Sequence, residues 1–246
     1  MLCGNGFRIK LHERKSMDIE FFLKYFARAL TLLLVLPLHE AAHAGVARLM
    51  GDDTAQRQGR LTINPFSHLD PLGSLLIMLT GFGWAKPVPV NPMRMKKYRA
   101  GFALTALAGP VSNLLAAIAA AFVHAIIYST EAGYKAIFEY FVYDNITPLF
   151  CVILLTEFLV AVNVGLALFN LIPLPPLDGF NVLRYFTNEK FDRWFYMHQR
   201  EIQMGFLIFL VLFNSIDSQY NPLYYLSNYV EDFVWWLTSW IPVYRG

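Results

Sequence analysis

Residues 29–50 read ALTLLLVLPLHEAAHAGVARLM, an apolar run that passes without a break into His-Glu-Ala-Ala-His. Residues 29–38 hold no charged group, and with FFLKYFAR (21–28) ahead of them they predict a first long helix over about 21–50. Side chains four apart on a helix share a face, so His39 and His43 can grip one ion between them. Glu40 is the next residue and lies beside such an ion rather than over it, where its carboxylate can accept a proton from water. Zinc suits this set, because it lowers the pKa of a coordinated water to about 7 and a nearby carboxylate base then has a proton within reach at neutral pH. Ionisable groups inside an apolar helix cost a few kcal/mol each unless they have a role. The competing reading is a structural histidine pair with a glutamate reaching for the interface.

The surroundings are those of a membrane protein. Of 246 residues, 56% are apolar and 15% charged, against about a quarter charged in a soluble domain. A formal charge of +2 gives no basic field for nucleic acid, and two cysteines exclude a disulfide scaffold. Further apolar runs lie at 71–83, 102–128, 148–172 and 202–216, with an aromatic-rich stretch at 223–243 suited to the headgroup level. The 71–83 run is marginal in length for a span, and both a full span and a tilted or re-entrant segment stay open. The fold class expected is an all-α polytopic membrane protein of about five to six transmembrane or re-entrant helices, with short extended segments in the loops at 51–70 and 84–92. The organisation expected is a polar, basic tail (1–20), a membrane core (21–216) and an interfacial or spanning C-terminal segment (217–246). The first 18 residues are polar and precede no small-residue cleavage site, so no cleavable signal peptide is expected.

Lysine and arginine set the expected orientation. Segment 84–100 carries Lys86, Arg94, Lys96, Lys97 and Arg99, and segment 173–201 carries Arg184, Lys190, Arg193 and Arg200, whereas 129–147, read as a loop, carries only Lys135. The first two belong in the cytoplasm and the third outside.

A catalytic zinc needs a third protein ligand. The helix continuing to Met50 holds no further candidate, and His68 lies in a polar loop. Residues 170–179, NLIPLPPLDG, end an apolar run with three prolines and put Asp178 on irregular backbone at membrane depth, with Gly179 expected to allow a sharp turn. Asp178 is thus a candidate ligand; the alternative is a helix cap ahead of Asn181. Glu157 and His124 are further polar residues inside apolar runs, for which a hydrogen-bonded structural role outweighs a channel role. The stretch KPVPVNP (86–92) favours extended backbone and could offer an edge to an unwound peptide, although a loop packed beside the active site is the plainer reading.

Taken in order, HEAAH (39–43), GRLTINPFSHLDPLGSLL (59–76), FGWAKPVPVNP (82–92), LAGPVSNLL (107–115) and FNLIPLPPLDG (169–179) make the chain resemble the site-2 proteases, the intramembrane zinc metalloproteases of peptidase family M50. The resemblance covers about residues 30–185. It implies one Zn2+ per chain held by His39, His43 and Asp178, with Glu40 as general base. Asn170 matches the family's asparagine that positions the substrate strand or the oxyanion; Gly109, Pro110 and Asn113 match the third-span motif and join it as substrate-positioning candidates. Phe180 and Asn181 depart from the family's small-then-basic continuation, and the PDZ and CBS domains of some members have no counterpart in the sequence. The implied partners are the lipid bilayer and a membrane-protein substrate with a transmembrane helix; the implied location is a prokaryotic cell membrane, with the site toward the cytoplasm. Two other classes remain: a non-catalytic scaffold of the same fold that holds client helices, and a metal transporter. The intact Glu40 argues against the scaffold, and the few intramembrane acidic groups argue against a transporter.

Overall fold

A computed structural model describes residues 25–80, 83–214 and 222–244; the whole of the expected N-terminal tail and the start of the C-terminal segment lie outside these. The described residues are helical, with no strand among them. Helix α1 is Tyr25–Met50, α2 Thr54–Arg57, α3 Pro71–Thr80, α4 Tyr98–Tyr128, α5 Glu131–Tyr143, α6 Pro148–Asn170, α7 Asp178–Phe186, α8 Glu189–Met197, α9 Gln199–Asn214 and α10 Pro222–Trp236. At 26, 31 and 23 residues, α1, α4 and α6 rise about 39, 46 and 35 Å, enough to cross a hydrocarbon core of about 30 Å. The ten residues of α3 rise only about 15 Å and cannot span alone.

The side chains are sorted as lipid requires. Much of the buried set is alanine (Ala44, Ala47, Ala103, Ala106, Ala117, Ala121), while Leu34, Leu104, Val111, Leu115 and Ile126 are exposed. Lipid tails are as apolar as leucine, so burying large side chains drives nothing; small residues let helices approach closely.

By contacts the chain forms two compact units, one from residues 1–27, 114–165 and 225–246, the other from 28–113 and 166–224. In the first, α5 replaces the loop expected at 129–147. Thr130 caps it by accepting from the Gly133 N–H at 3.0 Å, and Tyr128, Ala136, Phe150 and Ile153 form a buried cluster with Tyr140 stacked on Phe150 at 4.2 Å. His124 bonds Thr156 Oγ1 at 2.8 Å, and its Nε2 lies 4.0 Å from Glu157.

In the second unit, the first turns of α1 widen to a π-helix at Thr31–Val35, with the Leu36 N–H reaching Thr31 O. The cause is Pro37: its missing N–H and its ring are incompatible with a regular bond to Leu33 O, and the wider turn absorbs both. The loop 51–70, expected to hold short extended segments, also carries α2 and a 3-10 turn at Pro65–Ser67, with Asn64 in extended backbone ahead of that turn. Side chains supply what a ladder would have supplied. Asp52 Oδ1 accepts from Thr54 N at 3.0 Å and Thr54 Oγ1 at 2.5 Å, and Asn64 Oδ1 accepts from Phe66 N at 3.1 Å. On the exposed surface, the Arg57 hydrogen bond, helped by Arg94, holds the Asp53 carboxyl below its ordinary range.

Residues 83–91 keep the non-helical backbone expected of their prolines. They are tied down from several sides: Lys86 N donates to His68 O at 2.8 Å, Arg60 Nη2 to Lys86 O at 2.6 Å, Asn91 N to the buried Asp52 Oδ2 at 2.6 Å, and Val88 N to Glu40 Oε2 at 3.0 Å.

Candidate metal centre

Two helical stripes meet at the site. His39 and His43 lie one turn apart on α1; Thr105, Gly109 and Asn113 lie at steps of four on α4. The stripes run in opposite senses, because His43 meets Thr105 and His39 meets Asn113. His43 Nδ1 is 2.7 Å from Thr105 O. A carbonyl only accepts, so Nδ1 carries a proton, and in the neutral ring the lone pair then sits on Nε2. His39 Nδ1 is 3.3 Å from Asn113 Oδ1, a contact that suits the same tautomer. Gly109 lies between these contacts, where a Cβ would fall 2.5 Å from both Nε2 atoms.

The two Nε2 atoms are 3.0 Å apart, and Asp178 Oδ2 lies 3.1 Å from the first and 3.3 Å from the second. With both ring protons on Nδ1, neither Nε2 can donate to the other or to the carboxylate. Consistently, Asp178 Oδ2 is buried and accepts no aligned hydrogen bond despite its short distances to both rings. Three electron pairs aimed at one point repel unless a cation takes them up. Zinc bound to nitrogen and oxygen at about 2.0–2.2 Å sets tetrahedral neighbours about 3.3–3.6 Å apart, close to the three separations found. Among the described residues, His39, His43 and Asp178 form a group whose ligand atoms all lie within 4.8 Å of one another and could hold a metal ion. The fit is good.

Asp178 is the first residue of α7, but its side chain makes no capping bond, and the N-cap is Leu177. Gly179 has no left-handed backbone. Its small size is what matters, because a Cβ would run into the Leu171 and Ile172 carbonyls; that contact draws the start of α7 under the end of α6. Helix α7 is held from its other end by Asp192, which accepts from Arg184 Nε at 3.0 Å and Arg99 Nη2 at 3.2 Å, while Arg99 also donates to the Arg184 and Thr187 carbonyls. Burial acts to lower the Arg184 pKa, but the hydrogen bond and charge of Asp192, together with Tyr196, outweigh it and raise it.

The second-unit candidates otherwise fall as follows. Glu40 is half-buried and accepts the Val88 N–H. Pro110 is fully buried within α4. Asn170 bonds its own helix, Nδ2 to Leu166 O at 3.0 Å. Asn113 faces His39 rather than an open groove. Sequence reasoning missed Thr105, whose contribution is a backbone carbonyl and so leaves no mark in the side chain. It also missed Asp52, Arg60 and Asp192, which look like ordinary loop charges.

Residues 27–213 match the sequence profile of peptidase family M50. A Bacillus subtilis (strain 168) protein named "Putative zinc metalloprotease YwhC" is 41% identical over 184 residues, 75% of this chain and 78% of that one. "Putative zinc metalloprotease Rip2" of Mycolicibacterium smegmatis is 29% identical over 185 residues, 73% of this chain and 63% of that one. No solved structure gives a significant match. The family and these relatives imply zinc as the cofactor, and the apolar helices make the chain an integral membrane protein. With three quarters of its length inside the family profile, the chain is a member of peptidase family M50.

Proposed function

We propose that the protein is an intramembrane zinc metalloprotease that hydrolyses a peptide bond in or near a transmembrane segment of another membrane protein, as in regulated intramembrane proteolysis. The observation that carries this reading is the convergence of the His39, His43 and Asp178 lone pairs beside Glu40. A scaffold needs no such unpaired, cation-seeking set.

His39, His43 and Asp178 would hold the zinc, which when bound supplies a Lewis acid and acidifies water. Glu40 takes the proton of the attacking water and returns it to the leaving amine. One of its oxygens is fixed by Val88 N, which restrains the carboxylate's rotation. The same bond brings the non-helical 83–91 segment beside the base. A substrate unwound to an extended strand could pair along that segment, so helix-breaking residues in the substrate favour cleavage. The lysine and arginine distribution supports a cytoplasmic-side site, and the bacterial relatives support a prokaryotic cell membrane.

The test is Glu40→Gln in detergent-purified protein, with zinc content and cleavage of a model transmembrane substrate measured on one sample. The amide keeps the shape but accepts no proton, so zinc should stay while turnover falls about 10²–10⁴-fold. Near-normal turnover would remove Glu40 as the base, and cleavage-competent protein without zinc would end the metalloprotease reading.

A further inference from the structure

We infer that Asn113 is a positioning residue for the metal: its side-chain oxygen holds the His39 proton on Nδ1 and so points the Nε2 lone pair at the ion. The inference rests on the metal site proposed above. It begins from a contrast between the two histidines. His43 is oriented by the Thr105 carbonyl at 2.7 Å, which no side-chain substitution can remove. His39 is oriented by a side chain alone, Asn113 Oδ1 at 3.3 Å.

Asn113 is fully buried, and its amide could in principle face either way. If its nitrogen faced His39, Nδ1 would have to accept, the proton would move to Nε2, and His39 would present N–H to the ion. Only the oxygen-facing orientation is compatible with ligation through Nε2. That orientation leaves Asn113 Nδ2 without a hydrogen-bond partner among the described residues. An unsatisfied buried amide costs about 1–3 kcal/mol. An apolar residue of the same size would fill the space without that cost. What an apolar residue cannot supply is an acceptor for His39 Nδ1. Ligating imidazoles regularly donate their other N–H to such an acceptor, and losing it commonly costs about 10–100-fold in metal affinity.

A packing role and a positioning role predict opposite rank orders. Asn113→Leu keeps the branching of the side chain and removes the acceptor; Asn113→Asp keeps the acceptor and adds a buried carboxylate. Zinc affinity of each purified variant is measured by competition with a chromophoric chelator, with helicity and melting followed by circular dichroism, and His39→Ala as control. The expected result is that Asn113→Leu and Asn113→Ala bind zinc about 10–100-fold more weakly, whereas Asn113→Asp binds at least as tightly as the parent. Parent-like affinity in Asn113→Leu, with loss in His39→Ala, overturns the positioning role and leaves the metal site standing. Parent-like affinity in His39→Ala overturns both. Imidazole 15N resonances of the unmutated protein give a reading independent of variant folding: a proton on His39 Nδ1 supports the inference, and a proton on Nε2 in the zinc-loaded protein overturns it.

Discussion

Replacing Gly109 by alanine puts one methyl group at the point where the two histidines meet. Two effects of opposite sign compete. In an ordinary helix interior, Gly→Ala stabilises by about 0.8–1.0 kcal/mol through lower backbone entropy. At Gly109 the new Cβ would stand 2.5 Å from His39 Nε2, His39 Cε1 and His43 Nε2. Carbon and nitrogen come into contact at about 3.5 Å, so the rings must retreat by about 1 Å. Overpacking of this kind costs about 1–3 kcal/mol, and the helix gain offsets part of it, so the net loss of stability is modest. The metal is less forgiving, because ligand distances hold to about ±0.2 Å and a 1 Å retreat exceeds that several-fold. Gly109→Ala should therefore remain folded and helical but lose zinc. The assay is metal analysis of the purified protein by mass spectrometry, beside its circular dichroism melt. A folded Gly109→Ala protein with one zinc per chain would refute the convergence of ligands on the space above Gly109.

Asp178→Asn should lose most of its zinc, since a neutral amide is a poor ligand; a cap would tolerate the change, because Asn caps about as well as Asp, so normal zinc content in this variant would return Asp178 to a structural role. Asp52→Ala removes the acceptor for Thr54 N and Asn91 N and should destabilise by about 2–4 kcal/mol, with protease cleavage appearing first within residues 84–91; an unchanged melt and digest would contradict the tethering of that segment. Gly73→Ala places a Cβ against the Trp84 carbonyl and should lower the melting temperature despite better helix propensity, so a raised melting temperature would count against this close approach. Cysteines placed at Lys135 and Lys190 should label from opposite sides of intact cells, and equal labelling would contradict the charge-based topology.

What was legible in the sequence was whatever depends on local spacing. The proposed ligands His39 and His43, with Glu40 between them, stand on a one-turn repeat, and a repeat is visible in one dimension. The long helices were visible for the same reason, because length and apolarity suffice to identify them. Helix α5 was misjudged as a loop although its signals were present: Thr130 stands ready as a cap, and Glu131, Lys135 and Glu139 follow at steps of four. In the loop 51–70 the short helical turns were not legible, because Asp52 and Asn64 satisfy backbone groups through their side chains. Asp178 could be nominated from its prolines and depth, but its meeting with His39 depends on how α7 seats against α6. Thr105 and Asn113 were beyond reach as partners of the histidines, since the register of two crossing helices is set by packing along their whole lengths and no local pattern encodes it.

That register joins two requirements usually treated apart. A membrane helix pair approaches closely only through small residues, and α4 presents Gly109 with Ala106 and Ala108 buried nearby while Leu104, Val111 and Leu115 point outward. The close approach is also what brings Thr105 O within 2.7 Å and Asn113 Oδ1 within 3.3 Å of the imidazoles. A larger side chain at Gly109 would move the two acceptors away from both rings together, one turn above and one turn below. The proposed metal ligands would lose position and orientation in the same step. The glycine between Thr105 and Asn113 is therefore a chemical requirement of the site as much as a packing requirement of the helices, and no compensating change elsewhere on α4 can meet one without the other.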